Sequence, residues 1–453
     1  MTPRIMGTQE NLTSCVAVYS VQFDLKVGPT TPSRDFPVSF NHDKAGRGYC
    51  KCDEWLTVDS DRTMSDNPRD ARDRQRSSDD GIVVFVEQRI RTVLGWPSDV
   101  FSMDCVANNG DSEIPHTLII FIPGNPGLVE WYLPVFKALL ERLGSGYAVR
   151  GVANVGHSRS PELVDVEAQG NKANLSIPWT VKGQALHKMA FVDLVTRDSI
   201  KQREQHAIKL TGTGTKAAFG GGKSAILPPH LIFVSHSIGC HFTQRLCVWR
   251  PDLLSRTCMF LFLMPFIRMD APAAQQTILN LAASHPGLII RWHEAIMRVL
   301  KSMPRSVVDR LMRGTIREQA GRDVAVDLVR QPKFARNFFQ LGLEEVRILP
   351  QTYDVSGLQI LGEQCPVYIL NAGNDHWSPE SHMVDLLELR DQKRIPSTVS
   401  VQYEPSLRHD FVSHVDQIPV VVEFCVDRIG TQGHQVGTMA TRFTSAAGAR
   451  SRL

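Results

Sequence analysis

The stretch that decides the fold is "LIFVSHSIGC", residues 231–240. Four apolar residues run into Ser235-His236-Ser237, and Gly239 follows two places after the second serine. A buried strand that turns sharply and restarts as a helix reads this way, with Ser237 at the turn. The pattern for such an elbow is G-x-S-x-G, and Ser235 stands where its first glycine would be. Two readings follow: an elbow presenting a serine nucleophile, or a buried strand that ends in polar residues. The rest of the chain decides between them.

Working outward, "TLIIFIPGNPG" (117–127) is a continuous apolar strand ending in a Gly/Pro loop, and "EWYLPVFKALLERLG" follows with helical spacing. "YAVRGVANVGHS" (147–158), "HLIFVSHS" (230–237), "CMFLFLMPF" (258–266), "PVYILNAGNDHW" (366–377) and "TVSVQYEPS" (398–406) read as further strands. Helical patterns lie between them, at "QALHKMAFVDLV" (184–195) and "GCHFTQRLCVW" (239–249), and "VDQIPVVVEFCVDRI" (415–429) closes the series. Fully apolar strands alternating with amphipathic helices predict an α/β protein with a mostly parallel central sheet covered on both faces. Ligands bind such sheets at the carboxyl ends of the strands, and the chemistry-bearing stretches fall there.

Organisation along the chain follows. Residues 1–80 are dense in charge and Ser around "DSDRTMSDNPRDARDRQRSSDDG" (59–81) and are expected to be disordered, with order beginning at "IVVFVEQ" (82–88). The core is expected over 81–267 and 358–430, with a Gly/Thr-rich flexible insertion at 201–228, a helical cap over 268–357 and a flexible tail at 431–453. "GGGKS" (220–224) is similar to the end of a phosphate-binding loop, but Ala217 stands where the first glycine belongs and no strand precedes it. No nucleotide, cofactor or metal is therefore expected.

Composition excludes other classes. The 453 residues carry 50 basic against 47 acidic side chains, too even a balance for a nucleic-acid partner. Nine scattered cysteines, with Cys50 and Cys52 as a lone C-x-C, fit a reducing compartment better than a disulfide framework or a zinc site. The longest apolar run, Cys258 to Ile267 with Pro265 inside it, is far short of the roughly 20 residues that span a bilayer.

A serine hydroxyl attacks only when a base takes its proton and an anion-stabilising pocket is ready. The elbow leaves the next backbone N–H, that of Ile238, free for such a pocket. The second donor is expected from "IPGNPG" (122–127), from the N–H of Asn125 with Gly124 next. In elbow proteins the acid and base follow in the order Ser, acid, His. "GNDHWSP" (373–379) offers Asp375, and "EPSLRHDFVSH" (404–414) offers His409, with His414 and His376 as its rivals. Asp375 would fix the tautomer of His409, and His409 would deprotonate Ser237. A Ser235→Gly change is expected to leave activity equal or higher, since a smaller residue eases the approach of strand and helix.

Together, "FIPGNPGLVEWYLPVF", "GVANVGHS", "GQALHKMAF", "VSHSIGCHF", "NAGNDHWSP" and "RHDFV" resemble the lipid-droplet-associated hydrolase family, over roughly residues 85 to 430. The resemblance implies the α/β-hydrolase fold, a serine nucleophile at Ser237, an acid at Asp375 and a base at His409. It also implies a lipid ester substrate, either sterol ester or acylglycerol, and a place in lipid storage and turnover at droplets, with the endoplasmic reticulum as a second address. Two other functions remain open: a catalytically weak droplet-binding protein, and a soluble small-ester hydrolase or thioesterase.

Two further features bear on location. "IIRWHEAIMRVLKSMPR" (289–305) places Ile289, Trp292, Ile296, Val299 and Met303 on a stripe, with Arg291, Arg298, Lys301 and Arg305 largely off it. Such a helix either lies peripherally in a lipid interface or packs on the core. The chain ends Ser451-Arg452-Leu453, which resembles a peroxisomal address with Arg in place of Lys.

Overall fold

In the computed structural model, residues 82–107, 114–164, 180–211, 228–269, 280–281, 283–313, 316 and 319–431 are described. The expected disorder of 1–80, the Gly/Thr-rich stretch beyond residue 211, the Cys50/Cys52 pair and the C-terminal tail lie outside them.

The centre is one eight-stranded sheet in the order β1-β2-β4-β3-β5-β6-β7-β8. The strands are β1 Ile82–Val93, β2 Trp96–Ala107, β3 Thr117–Ile122, β4 Tyr147–Val152, β5 His230–His236, β6 Thr257–Leu263, β7 Val367–Asn374 and β8 Val399–Arg408. β4, β3, β5, β6, β7 and β8 pair in parallel, whereas β2 runs antiparallel to both β1 and β4. A mostly parallel sheet with one reversed strand near its edge is the α/β-hydrolase fold.

The β1–β2 hairpin turns at Leu94-Gly95, both with positive φ (51° and 81°), as a tight hairpin turn with the right twist requires. Leucine is an unusual residue for that conformation, and the sequence reading, which has order beginning at 82–88, assigns no strand to 96–107.

The parallel strands are buried on both faces, which explains why they are apolar without alternation. On one face Ile119, Phe121, Ile232, Val234, Leu261 and Leu370 pack against Val135, Phe136 and Leu139 of the helix Leu133–Leu143 and Val421, Phe424 and Cys425 of the closing helix 418–431. The helices Val181–Thr211 and Ile238–Trp249, themselves in contact, do not contribute to that cluster. The first of them continues through 201–211, where the sequence reading begins a flexible insertion. "KQREQHAIKL" is built of good helix formers and its side chains are mostly exposed, so it extends the helix without needing a core to cover it.

The insertion between β6 and β7 is helical, as expected: Pro286–Ser302, Arg305–Met312, Gln319–Val329, Pro332–Ile348 and Val355–Gln364. It is tied to the loops at the carboxyl ends of β3 and β4. Asn337 Nδ2 donates to the carbonyls of Gly156 (2.8 Å) and Val164 (3.0 Å), and Asn125 Nδ2 donates to the Phe338 carbonyl (3.2 Å). The six cysteines among the described residues are unpaired.

Candidate active site

β5 ends at His236, and the helix Ile238–Trp249 begins one residue later. Ser237, between them, has φ 55° and ψ −128°. A non-glycine residue with positive φ carries backbone strain that the surrounding structure must hold in place. Three contacts hold it. Ser237 N–H donates to the Leu263 carbonyl of β6 at 3.0 Å, and Cys240 N–H donates back to the Ser237 carbonyl at 3.0 Å. The third is steric: a Cβ on Gly239 would lie 2.3 Å from the Ile122 carbonyl oxygen and 2.6 Å from that of Pro123. Only glycine lets the helix press so closely on the end of β3, so the G at the last position of the elbow pattern is forced by packing.

The first position is filled differently. Ser235 is fully buried, and its hydroxyl pairs with that of Thr243, two turns into the following helix, at 2.6 Å. Serine therefore fits between strand and helix and bonds them together. The sequence reading gave this hydroxyl no role.

Ser237 Oγ–H donates to His409 Nε2 at 2.8 Å, and His409 Nδ1–H donates to Asp375 Oδ2 at 2.8 Å. An ionised carboxylate only accepts, which assigns the proton to Nδ1 and leaves Nε2 as the acceptor for the serine. Asp375 is buried just past β7, and its other oxygen accepts from the backbone N–H groups of Trp377 and Ser378, both at 2.8 Å. Burial pushes this carboxyl up; the neighbouring His409 and the two N–H groups outweigh it, so the group lies below the usual carboxylate range. The three residues expected from chain order thus converge from the ends of β5, β7 and β8. Neither rival to His409 joins them: His414 pairs with Asp410 at 3.4 Å, and His376 is exposed.

The loop "IPGNPG" runs directly beside the elbow. A Cβ on Gly124 would come within 2.8 Å of Ser237 Cβ, so this backbone passes close to the serine only because Gly124 has no side chain. Residues after β4 fix the loop. Asn154 Nδ2 donates to the Gly124 carbonyl at 2.8 Å, Asn154 N–H to the Gly127 carbonyl at 3.3 Å, and the His157 ring contacts the Pro126 carbonyl. That segment is itself clamped: Gln184 exchanges hydrogen bonds with the Val155 backbone, and the buried Lys188 Nζ donates to the Ala153 carbonyl at 2.6 Å. Burial drives the Lys188 pKa well below the ordinary lysine value.

One connection was missed altogether by sequence reasoning. His236, fully buried beside the serine, donates from Nε2 to the His409 carbonyl at 2.9 Å. A carbonyl only accepts, so Nε2 carries the proton and Nδ1 is the acceptor of the Tyr132 hydroxyl, 2.7 Å away. Burial, then the nearby His409, push the His236 pKa down to about 3, so the ring stays neutral. The Gly124 backbone lies near the Tyr132 hydroxyl and opposes the upward push of burial on its pKa. A chain of hydrogen bonds therefore runs from Tyr132 through His236 to the backbone of His409. The sequence signal was present in the "S-H-S" and "EWYLP" stretches, but nothing in the spacing says that these side chains meet.

From the cap, Glu345 comes beside Asn125. Burial pushes its carboxyl well above the usual range despite the Asn125 contact.

The sheet order and the strand-turn-helix at Ser237 define a protein of α/β-hydrolase fold. More particularly, the chain belongs to the lipid-droplet-associated hydrolase family, whose model matches residues 115–213 and 224–412. It is 22% identical over 316 residues to the human lipid droplet-associated hydrolase, covering 67% of this chain and 82% of that protein. A shorter segment of 86 residues is 33% identical to the mouse lipid droplet-associated hydrolase, covering 18% of this chain and 26% of that one. Among solved structures, a haloalkane dehalogenase from Agrobacterium tumefaciens C58 aligns over 76% of this chain and 97% of its own, with a TM-score of 0.47 and 14% identity.

Proposed function

We propose that this chain is a serine hydrolase that cleaves carboxylic esters of lipids, sterol esters or acylglycerols, in the storage and turnover of neutral lipid at droplets. The observation that carries the reading is the unbroken hydrogen-bond chain Ser237–His409–Asp375, with Ser237 held at positive φ on its elbow. Droplet association is supported by the family and by the name of its curated members.

In the proposed reaction His409 Nε2 takes the Ser237 proton as Oγ attacks the ester carbonyl. Asp375 holds the imidazole with its proton on Nδ1 and stabilises the imidazolium that forms. The oxyanion is received by the N–H of Ile238, which has no intrahelical partner in the first turn, and by that of Asn125. Gly124 N–H is the second candidate on the same loop. Collapse expels the alcohol, which takes its proton from His409 and leaves an acyl-Ser237 ester. Water, deprotonated by the same histidine, releases the acid.

A fluorophosphonate probe tests this directly. The wild-type chain is expected to label covalently and Ser237→Ala not to. An unlabelled wild type would leave a droplet-binding protein without turnover as the reading. Comparison of long-chain with short-chain esters then separates lipid from small-ester substrates.

A further inference from the structure

The helix Pro286–Ser302 is docked by its polar side. His293, Glu294 and Met297 are its buried residues. Glu294, almost fully buried, pairs with Arg336 of the helix Pro332–Ile348 at 2.6 Å and with Arg298 at 2.9 Å. The His293 ring lies against Phe339 of that same neighbouring helix, with centroids 3.8 Å apart. The opposite side is apolar and faces outward. Leu288 (69% exposed), Trp292 (44%) and Val299 (55%) stand four and seven residues apart, on one line along the helix. The next helix, Arg305–Met312, repeats the arrangement: Val308 is buried, whereas Val307 (43%) and Leu311 (58%) point out.

This corrects the stripe read from sequence. Ile289 and Ile296 are half-buried at its flank, and the exposed line runs through Leu288, Trp292 and Val299 instead. Packing on the core and an outward apolar face are both realised, on opposite sides of one helix. Large apolar side chains in a row on a water-facing surface are costly unless something covers them.

The charges name the cover. Residues 286–313 carry six basic side chains against two acidic ones. Both acids are turned inward, Glu294 toward Arg336 and Asp309 toward Arg322. Arg291, Lys301 and Arg310 are exposed and form no ion pair among the described residues. An apolar row bordered by cations matches a phospholipid surface with anionic headgroups, where the apolar side chains enter the acyl region and the cations stay at the headgroups. An acidic protein groove would not call for this many exposed aliphatic side chains beside free cations.

We propose that the outward face of the helices Pro286–Ser302 and Arg305–Met312 is the surface by which this protein docks peripherally on a phospholipid-covered lipid phase. The inference goes beyond the hydrolase reading. Its test uses the full chain carrying Ser237→Ala, so binding is measured without turnover, and the labelling result stands independently of it.

Flotation with triolein droplets coated in phosphatidylcholine, with and without phosphatidylserine, reads the partition. The parent is expected to float with the droplets, more strongly with phosphatidylserine. Leu288→Ser/Trp292→Ser/Val299→Ser is expected to lose at least tenfold in partition, and Arg291→Gln/Lys301→Gln/Arg310→Gln to lose only the phosphatidylserine enhancement. Ile360→Ser, an exposed aliphatic elsewhere in the fold, is expected to float like the parent. Because the substituted positions are exposed, the folded state should survive, which circular dichroism verifies. A parent that does not float, or a folded triple-serine variant that floats like the parent, overturns the proposal.

Discussion

Ser235→Gly restores the usual elbow pattern, and the structure predicts that it costs stability. The wild-type hydroxyl bonds Thr243 at 2.6 Å inside a fully buried contact between β5 and the following helix. Removing it leaves the Thr243 hydroxyl without its partner, and a buried orphan of that kind costs about 1–3 kcal/mol. The lower end applies, because a helical threonine can swing its hydroxyl to the carbonyl four residues back. Glycine in a strand interior adds about 0.5–1 kcal/mol of backbone entropy. The sum is roughly 1.5–2.5 kcal/mol, a sizeable part of the roughly 5–15 kcal/mol by which a domain is stable.

Urea unfolding of wild type, Ser235→Ala and Ser235→Gly separates the two terms. Alanine removes only the hydroxyl and should lose about 1 kcal/mol; glycine should lose more. Turnover per folded molecule should stay within about threefold, since Ser237 is held by Leu263, Cys240 and the close approach at Gly239 rather than by Ser235. A glycine variant as stable as wild type would refute the reasoning, and a turnover collapse in a folded variant would show that Ser235 shapes the serine itself.

Asp375→Asn should fold yet lose on the order of 10³–10⁴ in kcat, because an amide no longer holds the proton on His409 Nδ1; a loss below tenfold would remove Asp375 from the proposed role. Tyr132→Phe strips the partner from His236 Nδ1, and we expect kcat to fall about tenfold with KM little changed and probe labelling to slow in parallel. Normal labelling by a merely less stable protein would make the tyrosine a packing residue only. The buried His157 and His241 (about 4) and His236 (about 3) lie below their unfolded value, so the unfolded chain binds more protons beneath about pH 6.5 and each costs up to about 1.4 kcal/mol per pH unit. Glu130 and Glu344, pushed up by burial to about 7, have the opposite sign until about pH 4.5, where the unfolded carboxyls also protonate. Three such histidines against two such carboxyls leave about one uncompensated, so stability should fall from about pH 6 downward by up to about 1.4 kcal/mol per pH unit and go on falling below 4.5; urea midpoints that stay level from pH 7 to 4.5 would contradict this balance.

What the sequence made legible was whatever a single strand end expresses locally. Ser237, Asp375 and His409 each follow an apolar run and come in the required chain order, so their meeting could be read before any coordinates. The hairpin partner β2 could not, because its turn uses leucine at positive φ where Asn or Gly would have announced it. The stretches "GVANVGHS" and "GQALHKMAF" were recognisable as family-like yet carried no evident chemistry. Their residues Asn154, His157, Gln184 and Lys188 prove to be holders of the loop beside the serine. Asn154 and His157, just after β4, reach the loop, and Gln184 and Lys188, on a helix beginning 28 residues after Ala153, hold the segment that carries them; spacing alone does not encode such a relay. The direction of the helix Pro286–Ser302 was equally hidden: both of its sides carry apolar residues, and only the Glu294–Arg336 pair fixes which one turns inward.

The chain of bonds through Tyr132 and His236 bears on how the site keeps its geometry. Asp375 constrains the ring of His409, its tautomer and its tilt, but not where the residue's backbone stands. His236 grips that backbone, and Tyr132 holds the His236 ring in turn. The proposed base is thereby registered to the residue adjoining Ser237 before any substrate arrives. Preorganisation of this sort matters because a catalytic group displaced by an ångström loses much of its effect. A neutral His236 is required for it: a protonated ring would present an N–H to the Tyr132 hydroxyl and abolish the acceptor on which the relay depends. Burial that drives its pKa to about 3 therefore keeps the His236 ring neutral and its two hydrogen bonds intact, so of two adjacent histidines one is kept purely as a holder of the other.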